Sequence, residues 1–221
     1  MKRHLIFDLD GTLVDSCGIC VQILSEMLTD RGSTRVLDAA AAAPWMSVGG
    51  QKMVAALLGP DCGDPEAEIA EFRARYARRI TPASSLFDGV AAGLVRLRDH
   101  GYVLSICSNK PQHLCDKVLV DTGLAPLFQE VVGTRPHLRP KPETDLLVEL
   151  LTRLRAKPEE CLFIGDSDLD HAVAAATGLP FLFVEYGYAE PGWTPHGCER
   201  FARFDHLTAQ LTEEARLGLA A

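Results

Sequence analysis

The order of elements along this chain predicts an α/β fold: a Rossmann-like parallel sheet core with helices on both faces and an inserted α-helical cap domain. Three observations carry the prediction. Short apolar runs ending in acid or glycine recur along the chain. Helical patterns separate them. Residues 16–83 break that alternation with helical patterns alone. Strands that alternate with helices pair in parallel, because each helix supplies the crossover back to the sheet.

The run at residues 4–9 ends in acid and reads as a buried strand. The same pattern returns at Tyr102–Ser108, Glu130–Gly133, Cys161–Gly165 and Pro180–Glu185. Between these runs, Val90–His100 sets Val90, Leu94, Val95 and Leu97 along a helix that stops at Gly101. Pro111–Thr122 opens on a proline, whose missing N–H costs little at a first helical position, and stops at Gly123. Thr144–Ala156 gathers Leu146, Leu147, Leu150, Leu151 and Leu154 on one face, and Asp168–Thr177 ends before Gly178. Thr208–Leu219 reads as a terminal helix. Within the insert, helices are expected at Ile19–Arg31, Val36–Ala43 and Pro65–Ile80. The expected division is a core of residues 1–15 and 84–221 and a cap of residues 16–83.

The chain has 221 residues, enough to bury a core without metal or disulfide staples. Its 22 basic and 30 acidic side chains leave a net charge of −8, a poor match for a nucleic-acid backbone. No apolar run approaches the length of a membrane span, and the basic start, Met1-Lys2-Arg3, meets Asp8 too soon for a signal peptide. Seven cysteines, an odd number, fit reduced thiols in the cytoplasm. Cys17-Gly18-Ile19-Cys20 has redox spacing but no second pair for zinc.

Four local patterns carry chemistry. Asp8-Leu9-Asp10-Gly11-Thr12 closes the first strand: carboxylates at i and i+2 leave a strand on one face, and Gly11 permits a sharp turn that Thr12 can bond. Asp and Gly also favour ordinary turns. Gly165-Asp166-Ser167-Asp168-Leu169-Asp170 follows another strand and opens a helix. Three carboxylates so close repel unless a cation or protons neutralise them, and with Asp8 they make an oxygen-rich nest for Mg²⁺. Asp168 is read more simply as a favourable charge at a helix start. Ser108-Asn109-Lys110-Pro111 offers a hydroxyl and free N–H groups at a helix N-terminus, as an anion site or a plain cap. Arg139-Pro140-Lys141-Pro142 holds a lysine on a stiff loop.

In this order the four patterns resemble the haloacid dehalogenase superfamily, and Gly11–Ser16 with Ser108–Pro111 resembles its phosphoglycolate-phosphatase-like branch. The core resemblance covers residues 1–15 and 84–205, and the insert resembles that family's cap. It implies a Mg²⁺-dependent phosphatase acting on a small phosphorylated metabolite, with phosphoglycolate the candidate that the branch suggests. Asp8 would attack phosphorus and form an aspartyl-phosphate, with Asp10 as general acid and then base. Asp8, Asp166 and the Asp10 carbonyl would hold Mg²⁺. Ser108, the Asn109 N–H and Lys141 would hold phosphoryl oxygens, with Asp170 and Thr12 supporting them from behind. The turn Ser47–Lys52, through Gln51 and Lys52, would select substrate, unless those side chains simply open a solvated helix. Lys52, the insert's only lysine, lacks the surroundings of a Schiff-base amine. Asp10 favours phosphoryl transfer over dehalogenation, because the dehalogenating members lack an acid there. A phosphosugar mutase, or a binding protein that kept the fold, are the alternatives; the latter would usually have lost one of the five charged positions.

Overall fold

The computed structural model describes residues 3–190 and 192–217. Six strands, β1 (His4–Phe7), β2 (Val103–Pro111), β3 (Phe128–Thr134), β4 (Cys161–Gly165), β5 (Phe181–Val184) and β6 (Glu199–Phe201), form one sheet in the order β3-β2-β1-β4-β5-β6. Every pairing is parallel, and the register sets Phe7 beside Ile106 on one side and Ile164 on the other. Alternate residues of β1 face opposite layers. Leu5 and Phe7 pack with α5 (Val90–Asp99), α6 (Gln112–Asp121) and α9 (Phe204–Arg216). Ile6 packs with α7 (Asp145–Leu154) and α8 (Asp168–Thr177). Strands covered on both faces are apolar at successive residues, which is the pattern that marked them in the sequence.

The chain runs from β1 outward through β2 to β3, then returns to β4 on the far side of β1. That reversal opens a crevice at the carboxyl ends of β1 and β4, where open parallel sheets bind ligands.

Between β1 and α5 lie four helices, α1 (Cys17–Asp30), α2 (Ala39–Val48), α3 (Gly50–Leu58) and α4 (Pro65–Arg78). Ile23, Leu24, Met27 and Leu28 of α1 are buried with Val54 and Leu58 of α3 and Ile69 and Phe72 of α4. Arg31 clamps Glu68 of α4 through bonds of 2.7 and 2.6 Å. The two strands of chain that enter and leave this layer lie side by side. The Asp15 N–H donates to the Ser85 carbonyl at 2.7 Å, and Val14 bridges Leu86.

Several local expectations are corrected. The helix expected at Val36–Ala43 is α2, Ala39–Val48, and it runs through Pro44. The proline removes one helical hydrogen bond, yet the helix continues because Ala42 and Met46 both bury. The turn expected over Ser47–Lys52 contracts to Gly49 and Gly50, at φ +58° and +56°; Gln51 and Lys52 belong to the first turn of α3, the helix start that is the alternative reading of those side chains, though the sequence did not reveal its extent. Pro111 caps α6 rather than entering it. The three-residue strand β6 was also unforeseen. The terminal helix starts at Phe204 and reaches Arg216; the expected residues 218 and 219 lie outside the described ones.

Candidate active site

The crevice between β1 and β4 brings the sequence patterns together. Asp8 leaves β1, and Asp166 leaves β4 beside it. Gly11 turns at φ +87°, and a Cβ there, or at Gly187, would collide with the Asp166 side chain. These two glycines let backbone approach the carboxylate from both sides.

Asp166 is buried and accepts from Thr12 Oγ1 at 2.7 Å and from the Tyr188 N–H at 2.8 Å. No cation pairs with it among the described residues, and burial, reinforced by Asp170 and Asp8, pushes its carboxyl well above the usual range. Asp8 is pushed up to about 6 by burial, with Lys141 pulling the other way. The Lys141 ammonium, itself 4% exposed, donates to Asp8 at 2.8 Å, to Asp170 at 2.6 Å and to the Cys107 carbonyl at 3.1 Å. Burial opposes the Lys141 charge, but Asp170 and Asp8 outweigh it and raise the amine.

Asp170 is fully buried and fully engaged. Besides Lys141 it accepts from Ser167 Oγ at 2.6 Å and from the Ser167 N–H at 3.1 Å, closing a capping box at the start of α8. Asp170 therefore holds Lys141 and the β4–α8 turn at once. One oxygen each of Asp8, Asp166 and Asp170 lie within 4.8 Å of one another. With Asp170 taken up by Lys141 and Ser167, Asp8 and Asp166 are the carboxylates facing the crevice. The Asp10 carbonyl accepts none of the backbone bonds of the turn, which go to Leu9 and Val14. Hard oxygen donors and a buried carboxylate without a counter-charge suit Mg²⁺.

Asn109 braces the lysine loop: its amide donates to the Lys141 carbonyl at 3.0 Å and accepts the Lys141 N–H at 2.7 Å. Ser108 is buried beside it and lines the same cavity.

The sequence reading missed Lys110. Its ammonium grips both oxygens of Asp10, at 2.9 and 2.8 Å, and lies 4.5 Å from the centre of the Tyr76 ring of α4. Burial works against this charge, yet Asp10 and Tyr76 hold it above the ordinary lysine value. It also missed Tyr188. Its N–H bonds Asp166, and its hydroxyl donates to Asp15 at 2.6 Å, where the chain crosses into the helical layer. Only its place beside Gly187 after a strand end signalled this role. The Cys17 and Cys20 thiols are free, and burial pushes them up to about 11 and about 12, away from redox reactivity.

A cavity of about 670 Å³ joins this crevice to the helical layer. Asp8, Asp10, Ser108, Asn109, Lys141 and Asp166 line its floor. Met46, Met53, Ile69, Phe72 and Tyr76 line its roof, with Lys52. Gln51 is exposed and does not line it.

Known proteins resemble this chain in sequence and fold. The model of the haloacid dehalogenase-like hydrolases matches residues 5–184. A plasmid-encoded phosphoglycolate phosphatase of Cupriavidus necator is 35% identical over 98% of this chain and 96% of its own length. A phosphoglycolate phosphatase of Xanthomonas campestris is 32% identical over 84% of each chain. Among solved structures, a predicted phosphoglycolate phosphatase from Haemophilus somnus superposes with a TM-score of 0.81 at 23% identity, covering 95% of this chain and 98% of its own. The CbbY protein of Rhodobacter sphaeroides, solved with xylulose-(1,5)bisphosphate, superposes with a TM-score of 0.73 at 19% identity, covering 94% and 96%. Sheet order, paired carboxylates and full-length likeness agree: the chain belongs to the haloacid dehalogenase-like hydrolase family and is a phosphatase, a phosphoric monoester hydrolase.

Proposed function

We propose that the protein hydrolyses a small phosphorylated metabolite, with Mg²⁺ as cofactor and Asp8 as nucleophile. The observation that carries this is the unequal treatment of three buried carboxylates. Asp170 is neutralised by Lys141, Asp8 shares that lysine, and Asp166 has no cation among the described residues. Asp8, Asp166 and the Asp10 carbonyl would hold Mg²⁺, which when bound masks the charge of phosphate and nucleophile from each other.

Asp8 attacks phosphorus and takes the phosphoryl group, releasing the alcohol; water then displaces the group from Asp8. Asp10 must first take up a proton, giving up one of its Lys110 contacts; it then gives that proton to the leaving oxygen and takes one from the attacking water. Lys110 fixes the Asp10 carboxylate in one position beside the floor. Lys141, Ser108 and the Asn109 N–H hold the phosphoryl oxygens. Residues 16–83 act as a cap that excludes water, with the paired crossings at Asp15–Ser16 and Pro82–Ser85 as its hinge.

Phosphoglycolate is the first substrate to test, because the two relatives above bear its name. Phosphate release is measured on phosphoglycolate and on an aryl phosphate after exhaustive chelation, then with added Mg²⁺ or Ca²⁺. Activity is expected to vanish with chelator and return with Mg²⁺ only, since Ca²⁺ takes more ligands at longer distances. Undiminished activity after chelation removes the metal from the reading.

A further inference from the structure

The cavity's two walls carry opposite charge. The floor contributes Asp8, Asp10, Asp166, Asp168 and Glu190 against Lys110 and Lys141. The roof contributes Lys52 and Arg73 and no carboxylate. The floor lysines are spent on floor carboxylates, Lys110 on Asp10 and Lys141 on Asp8 and Asp170.

Arg73 is different from its neighbours on α4. Arg75 pairs with Asp30 and Glu71, and Arg78 is exposed. Arg73 is half-buried and lines the cavity beside Phe72 and Tyr76, with no hydrogen bond or ion pair among the described residues. Burial lowers its guanidinium from the ordinary value, and no carboxylate offsets the loss. A half-buried guanidinium without a partner is an unfavourable arrangement that an anionic ligand relieves. Its planar fork matches a carboxylate through two parallel bonds. The surrounding Ile69, Phe72 and Met53 give that end of the ligand an otherwise apolar contact.

We propose that Arg73 receives a carboxylate on the substrate's leaving group, so that the preferred substrates are phosphate monoesters of hydroxy acids. The proposal rests on the phosphatase reading above and assigns the other end of the same molecule. The phosphoryl group lies on the floor, where carboxylates and a cation handle it. The leaving alcohol points to the roof, where a second anion meets Arg73. The cavity is roomier than a two-carbon ester needs, so charge rather than volume defines the class.

Three esters separate the possibilities: phosphoglycolate, 2-hydroxyethyl phosphate, in which a hydroxymethyl group replaces the carboxylate, and p-nitrophenyl phosphate. Each is assayed with Mg²⁺ on the wild type, Arg73→Gln and Arg73→Lys. The wild type is expected to favour phosphoglycolate over 2-hydroxyethyl phosphate in kcat/KM by about 30-fold, the worth of a charge-assisted bidentate contact. Arg73→Gln should erase that ratio, and Arg73→Lys, which keeps charge without the fork, should retain part of it. Glycolate should inhibit p-nitrophenyl phosphate turnover by the wild type and lose that effect in Arg73→Gln. Melting temperatures of the variants show whether they fold, and Arg73→Lys carries the test if Arg73→Gln does not. The proposal is overturned if the wild type shows no preference or if Arg73→Gln lowers all three esters alike. A wild type inert on every ester overturns the phosphatase reading as well, which aryl phosphate turnover distinguishes.

Discussion

The two walls of the cavity solve different problems. On the floor, buried charges meet in fixed pairs: Lys141 with Asp8 and Asp170, Lys110 with Asp10. On the roof, apolar side chains surround Lys52 and Arg73, and neither has an ion-pair partner among the described residues. The floor is arranged for one group, a phosphoryl, and holds its parts by mutual bonds before anything enters. The roof is left incomplete until a ligand supplies the missing charge. On the proposed reading, chemistry and selection are carried by different elements, the strand ends and the inserted helices.

The strongest way to break this contrast is Asp8→Asn. It should lower turnover by at least about 1,000-fold, because an amide cannot attack phosphorus. It should also stabilise the metal-free protein. The folded Asp8 carboxyl sits at about 6, above its unfolded value, so the folded state binds the extra proton and stability falls as pH rises through that window. The cost at neutral pH is up to about 3 kcal/mol, and the asparagine should remove that slope. Activity above a few per cent would remove Asp8 as the nucleophile; equal pH dependence of melting in both proteins would mean only that another group carries the slope.

Lys141→Met tests the floor's pairing. It leaves Asp8 and Asp170 buried without a counter-charge, and denaturant unfolding should show a loss of about 3–5 kcal/mol. A loss under about 1 kcal/mol would mean that the lysine is not what holds these carboxylates. The smallest effects belong to the roof. Lys52→Gln should shift the ranking of a metabolite panel by about threefold or less, and Gln51→Ala less still, because Gln51 is exposed and outside the cavity. A larger reordering by Gln51→Ala would show that the helical layer closes further than this structure does.

The sequence by itself determined the parts that are local. Asp8-Leu9-Asp10-Gly11-Thr12 and Gly165-Asp166 each occupy a strand end and its turn, so the residue types declare both the backbone and the chemistry. The alternation of apolar runs with helices was equally legible, because both periods show within about ten residues. The extent of helix α3 was hidden because a nine-residue helix behind two glycines shows little period, and β6 because three residues carry none. Only the tertiary structure decided the partners. Lys110 and Asp10 are 100 residues apart, and Lys141 and Asp8 are 133 apart. Lys110 reaches Asp10 because the order β3-β2-β1-β4 sets the end of β2 beside that of β1, and Lys141 reaches Asp8 from the loop between β3 and α7, across the end of β2. Arg73 looks in sequence like one more arginine on a charged helix. Its lack of a partner exists only where α4 faces the crevice, because an ion pair depends on distance in space and leaves no mark on spacing along the chain.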